Sequence, residues 1–364
     1  MIYKNNAFRL SAFVFTMAVA FACFKKSSAP SISELDYAKF PLANLSEYGI
    51  YDGEMSQLVP TKDLLAYAPA MPLFTDYAFK KRFVYIPADS AASFDLNKPD
   101  AAFVFPEHSI LVKNFYYPAD FNKPDAEKQI IETRLLVKKG GKWEAYPYVW
   151  NKEQTEAVYK SIGGKVPVTF KNEAGESHSI DYTMPNKNQC KSCHNQGDTF
   201  SPIGLKVKQL NNDYAYAEGS ENQLAHWMKL GKLKGEGDLT LVKNMVYMTD
   251  TKASLSDKAR SYLDSNCGHC HNPNGPAGSS GLRLTVEEND PFHWGVYKSP
   301  VAAGMGAGNL KYDIFPGKGK ESIITYRMNS THPGVMMPEI GRVSIHKEGV
   351  ALLTAWIDEL EPKK

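Results

Sequence analysis

Three things are scarce in this sequence of 364 residues: excess charge, spare cysteine and long apolar runs. The 42 Lys and Arg nearly balance the 40 Asp and Glu, so the formal net charge is only +2. This balance argues against a nucleic-acid partner, because such proteins concentrate basic residues on one face. Hydrophobic residues make up 43% and charged residues 23%, which excludes both a disordered chain and a membrane-helix bundle. The length suits two or three globular domains.

The N-terminus has the pattern of an export signal. Lys4 and Arg9 precede an uncharged, mostly apolar stretch over 10–22, which is too short to cross a bilayer but fits the core of a secretory signal. Ala20-Phe21-Ala22 supplies a small-x-small cleavage pattern. We therefore expect a signal peptide over 1–22, then a flexible tether over 23–45. The alternative is a short anchor that stays attached.

Cys23 directly follows the expected cleavage point. The site resembles a bacterial lipoprotein lipobox, although Ala20 and Phe21 stand where that motif usually has Leu and a small residue. The resemblance implies lipidation of Cys23, and ordinary signal peptidase would cut the same bond. We expect a periplasmic protein, or a lipoprotein facing the periplasm or cell surface, whose only membrane contact is this lipid.

The other four cysteines form two identical patterns. They are Cys190-Lys191-Ser192-Cys193-His194 and Cys267-Gly268-His269-Cys270-His271. C-x-x-C-H is the attachment signature of c-type haem: two thiols one helical turn apart reach the two vinyl groups, and the adjacent histidine lies under the iron. No cysteine is left for the disulfides common in exported proteins. The sequence predicts two covalently attached haem c groups, bound by Cys190, Cys193, His194, Cys267, Cys270 and His271.

Two other sites use paired cysteines. Zinc ribbons place their CxxC pairs about 15–20 residues apart, whereas Cys190 and Cys267 are 77 positions apart. A thioredoxin-like dithiol would explain neither the adjacent histidines nor the duplication. Haem attachment accounts for both.

The second haem has a candidate sixth ligand in Met337. The run Val335-Met336-Met337-Pro338 precedes a predicted C-terminal helix over 348–360. This resembles class I cytochrome c, in which a loop methionine followed by proline ligates the iron before a closing helix. Met336 as the ligand, or a five-coordinate iron, are the alternatives.

The sixth ligand of the first haem is less well defined by the sequence. Met245 and then Met248 are the favoured candidates, because they lie in a loop just before the next predicted helix. The other candidates are Met184, Met228, His178 and His226.

The chain changes character near residue 183. Short aromatic and β-branched runs predict strands over 82–86, 109–117, 130–138, 143–150 and 166–170, with a hairpin turn over 139–142 and a short helix over 152–160. Helices are predicted beyond 183, at 222–232, from 256 and at 348–360. We therefore expect an α+β multidomain fold: an antiparallel β-rich domain over 46–182, then two mainly α-helical cytochrome c-like modules over 183–255 and 256–364, the second of class I type.

Several further stretches resemble an uncharacterised family of bacterial exported dihaem c-type cytochromes. They are Pro72-Leu73-Phe74-Thr75-Asp76-Tyr77, Ile131-Glu132-Thr133-Arg134-Leu135-Leu136, Tyr148-Val149-Trp150-Asn151, Pro185-Asn186, Gln189-Cys190, Ile203-Gly204, Gln209-Leu210-Asn211, Asn222-Gln223-Leu224, Ala259-Arg260-Ser261-Tyr262-Leu263-Asp264 and Asn266-Cys267. The resemblance implies that His194 and His271 are haem ligands. It implies no substrate.

The expected function is single-electron transfer between redox partner proteins of the cell envelope. The alternative is a haem-dependent oxidoreductase, either peroxidase-like or a dehydrogenase whose β-rich domain contributes a substrate site. A third reading makes the β-rich domain a docking module. That domain has no cysteine, its His108 and His178 are 70 positions apart, and the chain has neither a P-loop nor a GxGxxG fingerprint. An electron-transfer protein is therefore favoured over a stand-alone enzyme.

The export signal predicts the mature N-terminus. Mass spectrometry of the protein from its native membrane or periplasm should find Cys23 as the first residue, because both peptidases cut after Ala22. An unmodified Cys23 would exclude only lipidation. Retention of residues 1–22 would contradict the export signal itself.

Overall fold

A six-stranded antiparallel sheet forms the centre of the computed structural model, which describes residues 31–98, 100–124, 126–301 and 303–362. Its strands are β1 (Leu64–Tyr67), β2 (Phe79–Tyr85), β4 (Ile110–Pro118), β5 (Lys128–Lys139), β6 (Lys142–Trp150) and β7 (Ala157–Tyr159), in the order β1-β2-β4-β5-β6-β7. The short β3 (Ala92–Ser93) lies outside this sheet. The expected signal peptide and Cys23 lie outside the described residues.

Smaller elements surround this sheet. A second antiparallel pair comprises β8 (Gly164–Lys171) and β9 (Ser177–Met184), and shorter strands are β10 (Asn195–Gln196), β11 (Thr199–Phe200), β12 (Asp213–Tyr216), β13 (Gly219–Asn222) and β14 (Leu233–Lys234). The α-helices are α1 (Lys187–His194), α2 (Val207–Leu210), α3 (Gln223–Lys229), α4 (Leu255–Leu263), α5 (Pro291–Trp294), α6 (Ile323–Met328) and α7 (Lys347–Glu359). Within the described residues, no helix combines the length and apolar character that a membrane crossing would require.

The hairpin between β5 and β6 confirms the strongest local prediction. Gly140 and Gly141 have φ values of 59° and 73°, as a tight two-residue turn between twisted strands requires. The strands predicted around residues 82, 113, 134, 146 and 168 are present. The helix predicted over 152–160 is wrong. A turn held by the side chain of Asn151 leads instead into β7, which pairs with β6.

One face of the sheet is covered by the chain that precedes it. Ile32, Phe40, Leu45 and Tyr48 are buried against this face, together with alternate residues of the strands. Residues 31–45 fall within the expected tether, yet they form short 3₁₀ turns and contribute to the core. Burial of their apolar side chains contributes favourable free energy that a solvated linker would not provide.

The opposite face carries the chain that follows it. Leu205, Leu210, Leu224, Trp227 and Leu233 share one core with residues of the sheet. The pair β8–β9 packs farther along the same face and shares another core with Phe115, Tyr117 and Ile131. The sheet is therefore covered on both faces.

The expectation of two mainly α-helical modules is wrong. The structure is β-rich, and among the described residues the longest α-helix, α7, has only thirteen residues. Frequent Gly, Asn and Pro end the elements after a turn or two, as α2 and α5 show with four residues each. The apolar residues of 205–233 pack on the sheet, so they do not build a helical core of their own.

A fourth core lies around α4 and α7. Tyr262 and Leu263 of α4 pack with Leu353, Trp356 and Ile357 of α7. This agrees with the helix predicted over 348–360. Within the described residues beyond 183, the packing of α4 on α7 is a helix-on-helix core.

The shared core predicts a stability difference between two leucines of one segment. Leu224 is fully buried between α3 and the sheet, whereas Leu230, at the end of α3, is 47% exposed. Leu224→Ala should lower the free energy of unfolding by about 2–5 kcal/mol because it leaves a cavity. Leu230→Ala, the matched control, should change it by roughly 0.5 kcal/mol or less.

The measurement is urea unfolding followed by circular dichroism of the holoprotein. Equal effects of the two substitutions would contradict the packing of 205–233 on the sheet.

Candidate functional site

Each CxxCH motif lies at the end of a helix. Helix α1 is capped by Asn186, whose side chain accepts a hydrogen bond from the Gln189 backbone N–H, while the Gln189 side chain accepts one from the Asn186 N–H. Helix α1 contains the first motif through His194. Helix α4 continues into a π-helical turn, Asp264–Gly268, that contains Cys267. Such turns are frequent at functional sites.

His194 is fixed with one ring nitrogen available. Its Nδ1 lies 2.8 Å from the Ser201 carbonyl oxygen, to which it donates, and its ring stacks on Phe200 at 4.7 Å between centroids. Burial lowers the pKa of His194 to about 3, and Lys113 lowers it further, while the Ser201 hydrogen bond acts in the opposite direction. The ring is therefore neutral at pH 7, and Nε2 offers a lone pair, as a metal ligand must.

His271 has an equivalent arrangement. Its Nδ1 lies 3.1 Å from Ser280 Oγ, which in turn donates to the Ala277 carbonyl at 2.7 Å. The serine oxygen therefore accepts from Nδ1–H and leaves Nε2 available. Burial lowers the pKa of His271 to about 4, and His269 and Arg327 contribute in the same direction. Both motif histidines are thus neutral and oriented through Nδ1.

The two motifs are in direct contact. One ligand atom each from Cys193, His269 and Cys270 lie within 4.8 Å of one another. Two hydrogen bonds to backbone carbonyls fix this arrangement: the Gln196 side chain donates through Nε2 to the His269 carbonyl at 2.7 Å, and the Gly197 N–H donates to the Asn274 carbonyl at 2.7 Å. Residues that are 77 positions apart in the chain therefore form one site.

The contact perturbs both thiols. The neighbouring Cys270 thiol lowers the pKa of Cys193, with His269 acting in the same direction. The same contact and burial raise the pKa of Cys270. Of the two thiols, Cys193 is therefore the one whose surroundings favour the thiolate, which is the reactive form of cysteine. His269 Nδ1 is buried without a hydrogen-bond partner among the described residues.

Gly275 keeps the loop after the second motif close to it. A Cβ at this position would lie 2.2 Å from the Cys270 carbonyl oxygen and 2.8 Å from the Asn272 side-chain nitrogen. No side chain fits there without moving the backbone of the motif. The loop therefore depends on glycine to hold Cys270 against Cys193.

Two cavities adjoin the motifs, and His194 lines both. The larger, of about 890 Å³, is also lined by His269, Phe200 and basic residues of the sheet. The smaller, of about 170 Å³, is lined by Cys190, Cys193 and Cys267 and by Met337. His271 is not among the residues that line either cavity. The structure thus gathers three of the four motif thiols around one apolar space.

The loop that carries Met337 is held in place by Arg342. Its Nη2 donates to the carbonyls of Met337 and Ser330, at 3.0 and 2.8 Å, and its Nη1 donates to the Ser344 carbonyl at 3.0 Å. Met337 lines the smaller cavity together with Cys267, whereas Met336 lines neither cavity. The geometry therefore distinguishes the two adjacent methionines.

Met245 lies elsewhere. Its side chain is buried in the core around α4 and α7, with Met248 packed against that core, and neither residue lines a cavity with His194. The methionine that does share the larger cavity with His194 is Met71. Among the histidines considered, His178 is hydrogen-bonded to Asn172 and His226 to Glu221, and neither lines a cavity.

The sequence reasoning missed a group of basic side chains on the sheet. Lys80 and Arg82 of β2, Lys113 of β4 and Arg134 of β5 lie on the face that also carries α1. The signal was present, because charged residues at alternate positions of aromatic strands must face one side together. It also missed Ser201, Phe200 and Ser280, which no spacing rule identifies.

No protein-family model matches the chain, and comparisons with curated proteins and with solved structures find no match.

The contact between the two motifs predicts a specific disulfide crosslink in protein that carries no haem. Mild oxidation should join Cys193 to Cys270, because their sulfur atoms are close and the pKa of the Cys193 thiol is lowered. Peptide mapping of the oxidised, haem-free protein should recover that crosslinked pair. Cys190→Ser should leave the crosslink intact, whereas Cys193→Ser should abolish it. A dominant Cys190–Cys193 or Cys267–Cys270 link would contradict the arrangement.

Proposed function

We propose that the chain is an exported dihaem c-type cytochrome that transfers single electrons between redox partners of the cell envelope. The observation that carries this proposal is the contact between the two CxxCH motifs, with Cys193, His269 and Cys270 in one cluster. Two attachment motifs that meet in space serve electron transfer, because its rate depends on the separation of the redox centres. Motifs on separate modules would have no need to touch.

The residues of both motifs have the chemistry that the group requires, and the first motif also has open space beside its histidine, since His194 lines both cavities and His271 lines neither. The thiols of Cys190 and Cys193 would hold one haem, and those of Cys267 and Cys270 the other. His194 and His271 are neutral, are oriented through Nδ1 and have Nε2 available. The smaller cavity is lined by Cys190, Cys193 and Cys267, so these thiols would attach a haem in mostly apolar surroundings. Bound haem would supply reversible one-electron chemistry at its iron.

Met337 is the methionine that this site favours as a sixth ligand. It lines the same cavity as Cys267, and Arg342 fixes the backbone of its loop through several carbonyl groups. A thioether ligand raises the reduction potential relative to a second imidazole. Met245 lines neither cavity. His194 lines the cavity of Met337 and His271 does not, so Met337 lies beside the first motif as well as the second.

A second candidate function is a haem-dependent oxidoreductase. The larger cavity, of about 890 Å³, adjoins His194 and falls within the size range of small-molecule sites. If a haem held by His194 lacks a sixth ligand, a substrate could reach it from this space. A high-spin ferric haem whose spectrum changes when a ligand is added would support this function. Electron transfer alone predicts two low-spin centres.

A third candidate is a transition-metal site at Cys193, His269 and Cys270. Their ligand atoms lie close enough to share one ion, and two thiolates with an imidazole suit zinc. The same thiols cannot also carry haem. Metal analysis therefore separates this candidate from the first two.

The proposal predicts two haems per chain. The protein, produced in a host with a c-type maturation system, should show a mass increase of two haems and a pyridine haemochrome equivalent to two. The double variant Cys190→Ser, Cys193→Ser should retain only the haem of the second motif. The double variant Cys267→Ser, Cys270→Ser should retain only the haem of the first motif.

Ser192→Ala is the matched control, because it lies inside the first motif without supplying a thiol or ligand. It should retain both haems. A wild-type protein with one haem or none, or with stoichiometric zinc, would contradict the proposal.

A further inference from the structure

We propose that Arg82 and Lys113 form an anion-binding site beside the first CxxCH motif, built to receive a carboxylate or a small oxyanion. If the anion is a carboxylate of the cofactor, this inference rests on the proposed function. If the anion comes from solution, the inference does not depend on that function.

The basic residues form a row across three strands. Arg82 of β2 lies directly opposite Lys113 of β4, and Lys113 lies directly opposite Arg134 of β5. Since neighbouring strands are about 4.8 Å apart, the row extends over roughly 10 Å. Like charges that lie directly opposite each other destabilise a sheet. A row of three therefore needs a compensating charge.

Only one end of the row has its own counter-ion. Arg134 Nε donates to Glu132 at 2.9 Å, and Glu132 is fully buried and also accepts from the Tyr182 hydroxyl at 2.7 Å. Among the described residues, the side chains of Arg82 and Lys113 make no ion pair or hydrogen bond. The Nζ of Lys113 lies 4.9 Å from the ring of Phe115, and the charge of Glu132, which Arg134 already pairs, raises the pKa of Lys113 by less than burial lowers it.

Both unpaired side chains face the larger cavity. Arg82 is 9% exposed, and it lines this cavity together with Lys113 and His194. Burial lowers the pKa of Lys113 well below its usual value, and the neighbouring Arg82 and Lys80 add to this effect. Arg82 carries its charge at this space without a counter-ion in the described part of the chain, and an anion bound there would also favour the protonated form of Lys113.

The acidic groups of the same cavity have other partners, and one of them, Glu288, lies 3.7 Å from Arg283 Nη1 and 3.2 Å from His293 Nδ1. Asp100, Asp264 and Glu287 surround the ammonium group of Lys208, with Nζ–oxygen distances of 2.8, 2.5 and 2.7 Å. Lys208 is fully buried, and Lys206 also binds Asp100. These carboxylates therefore do not neutralise Arg82 or Lys113. The lining of the cavity therefore contains two separate sets of charged groups, one around Lys208 and one around Arg82 and Lys113.

The chemistry of the row selects the ligand class. The guanidinium of Arg82 suits a planar carboxylate or an oxyanion, and Lys113 adds a point charge. Two sources offer such a group. One is the carboxylate side chains of a haem held by Cys190, Cys193 and His194, and the other is a free anion that enters the cavity.

The experiment compares neighbouring residues of one strand. Arg82→Gln and Lys113→Gln remove a charge from the cavity face. Lys81→Gln removes the same charge from β2, but on the opposite face, where Lys81 Nζ lies 3.5 Å from the Gln57 carbonyl. Each holoprotein is examined in two ways. Spectroelectrochemistry gives the reduction potentials, and calorimetry measures the binding of acetate and of sulfate.

The two sources give different results. If the anion belongs to the cofactor, Arg82→Gln and Lys113→Gln should shift one haem potential by clearly more than Lys81→Gln does, and the wild type should bind neither probe. If the anion is free, the wild type should bind a probe, and each cavity variant should bind it about tenfold or more weakly.

The experiment distinguishes failure of the anion site from failure of the proposed function. Potentials that shift equally in all three variants, with no probe bound by the wild type, would overturn the anion site. A wild type without covalent haem would overturn the proposed function. The calorimetric measurement would then still decide whether the row binds an anion.

Discussion

The contact between the two CxxCH motifs is the constraint on which the rest of the site depends. Cys193, His269 and Cys270 lie within one cluster, and hydrogen bonds from the Gln196 side chain and the Gly197 backbone N–H to carbonyls of the second motif and of the loop after it hold the motifs together. The two halves of the chain beyond residue 183 therefore meet at one cluster of cysteine and histidine side chains.

The sheet acts as the platform for this site. One face is closed by residues 31–58, and the other carries α1, the 205–233 segment and the basic row. The first motif therefore lies over a wall whose charges are fixed by the strand register. Such a wall can set the electrostatic environment of a bound cofactor, because strand positions vary little in a sheet covered on both faces.

The sequence predicted local elements of this protein better than its architecture. The spacing of Cys190, Cys193 and His194 is a local pattern, and so are the hairpin at Gly140–Gly141 and the apolar face of the C-terminal helix. The packing of Leu224 and Trp227 on the sheet could not be predicted, since their periodicity shows a buried face but not what covers it. The contact of Cys193 with Cys270 also depends on tertiary structure. Met245 illustrates the limit: a position in a loop before a helix fits a ligand and a core residue equally well.

The central claim is that the two attachment sites lie side by side, and electron paramagnetic resonance tests it most directly. The fully oxidised wild type is compared with the two variants that each retain one haem. We predict that magnetic coupling between the ferric centres makes the wild-type spectrum differ from the sum of the two single-haem spectra. A wild-type spectrum equal to that sum would contradict the close approach of the motifs.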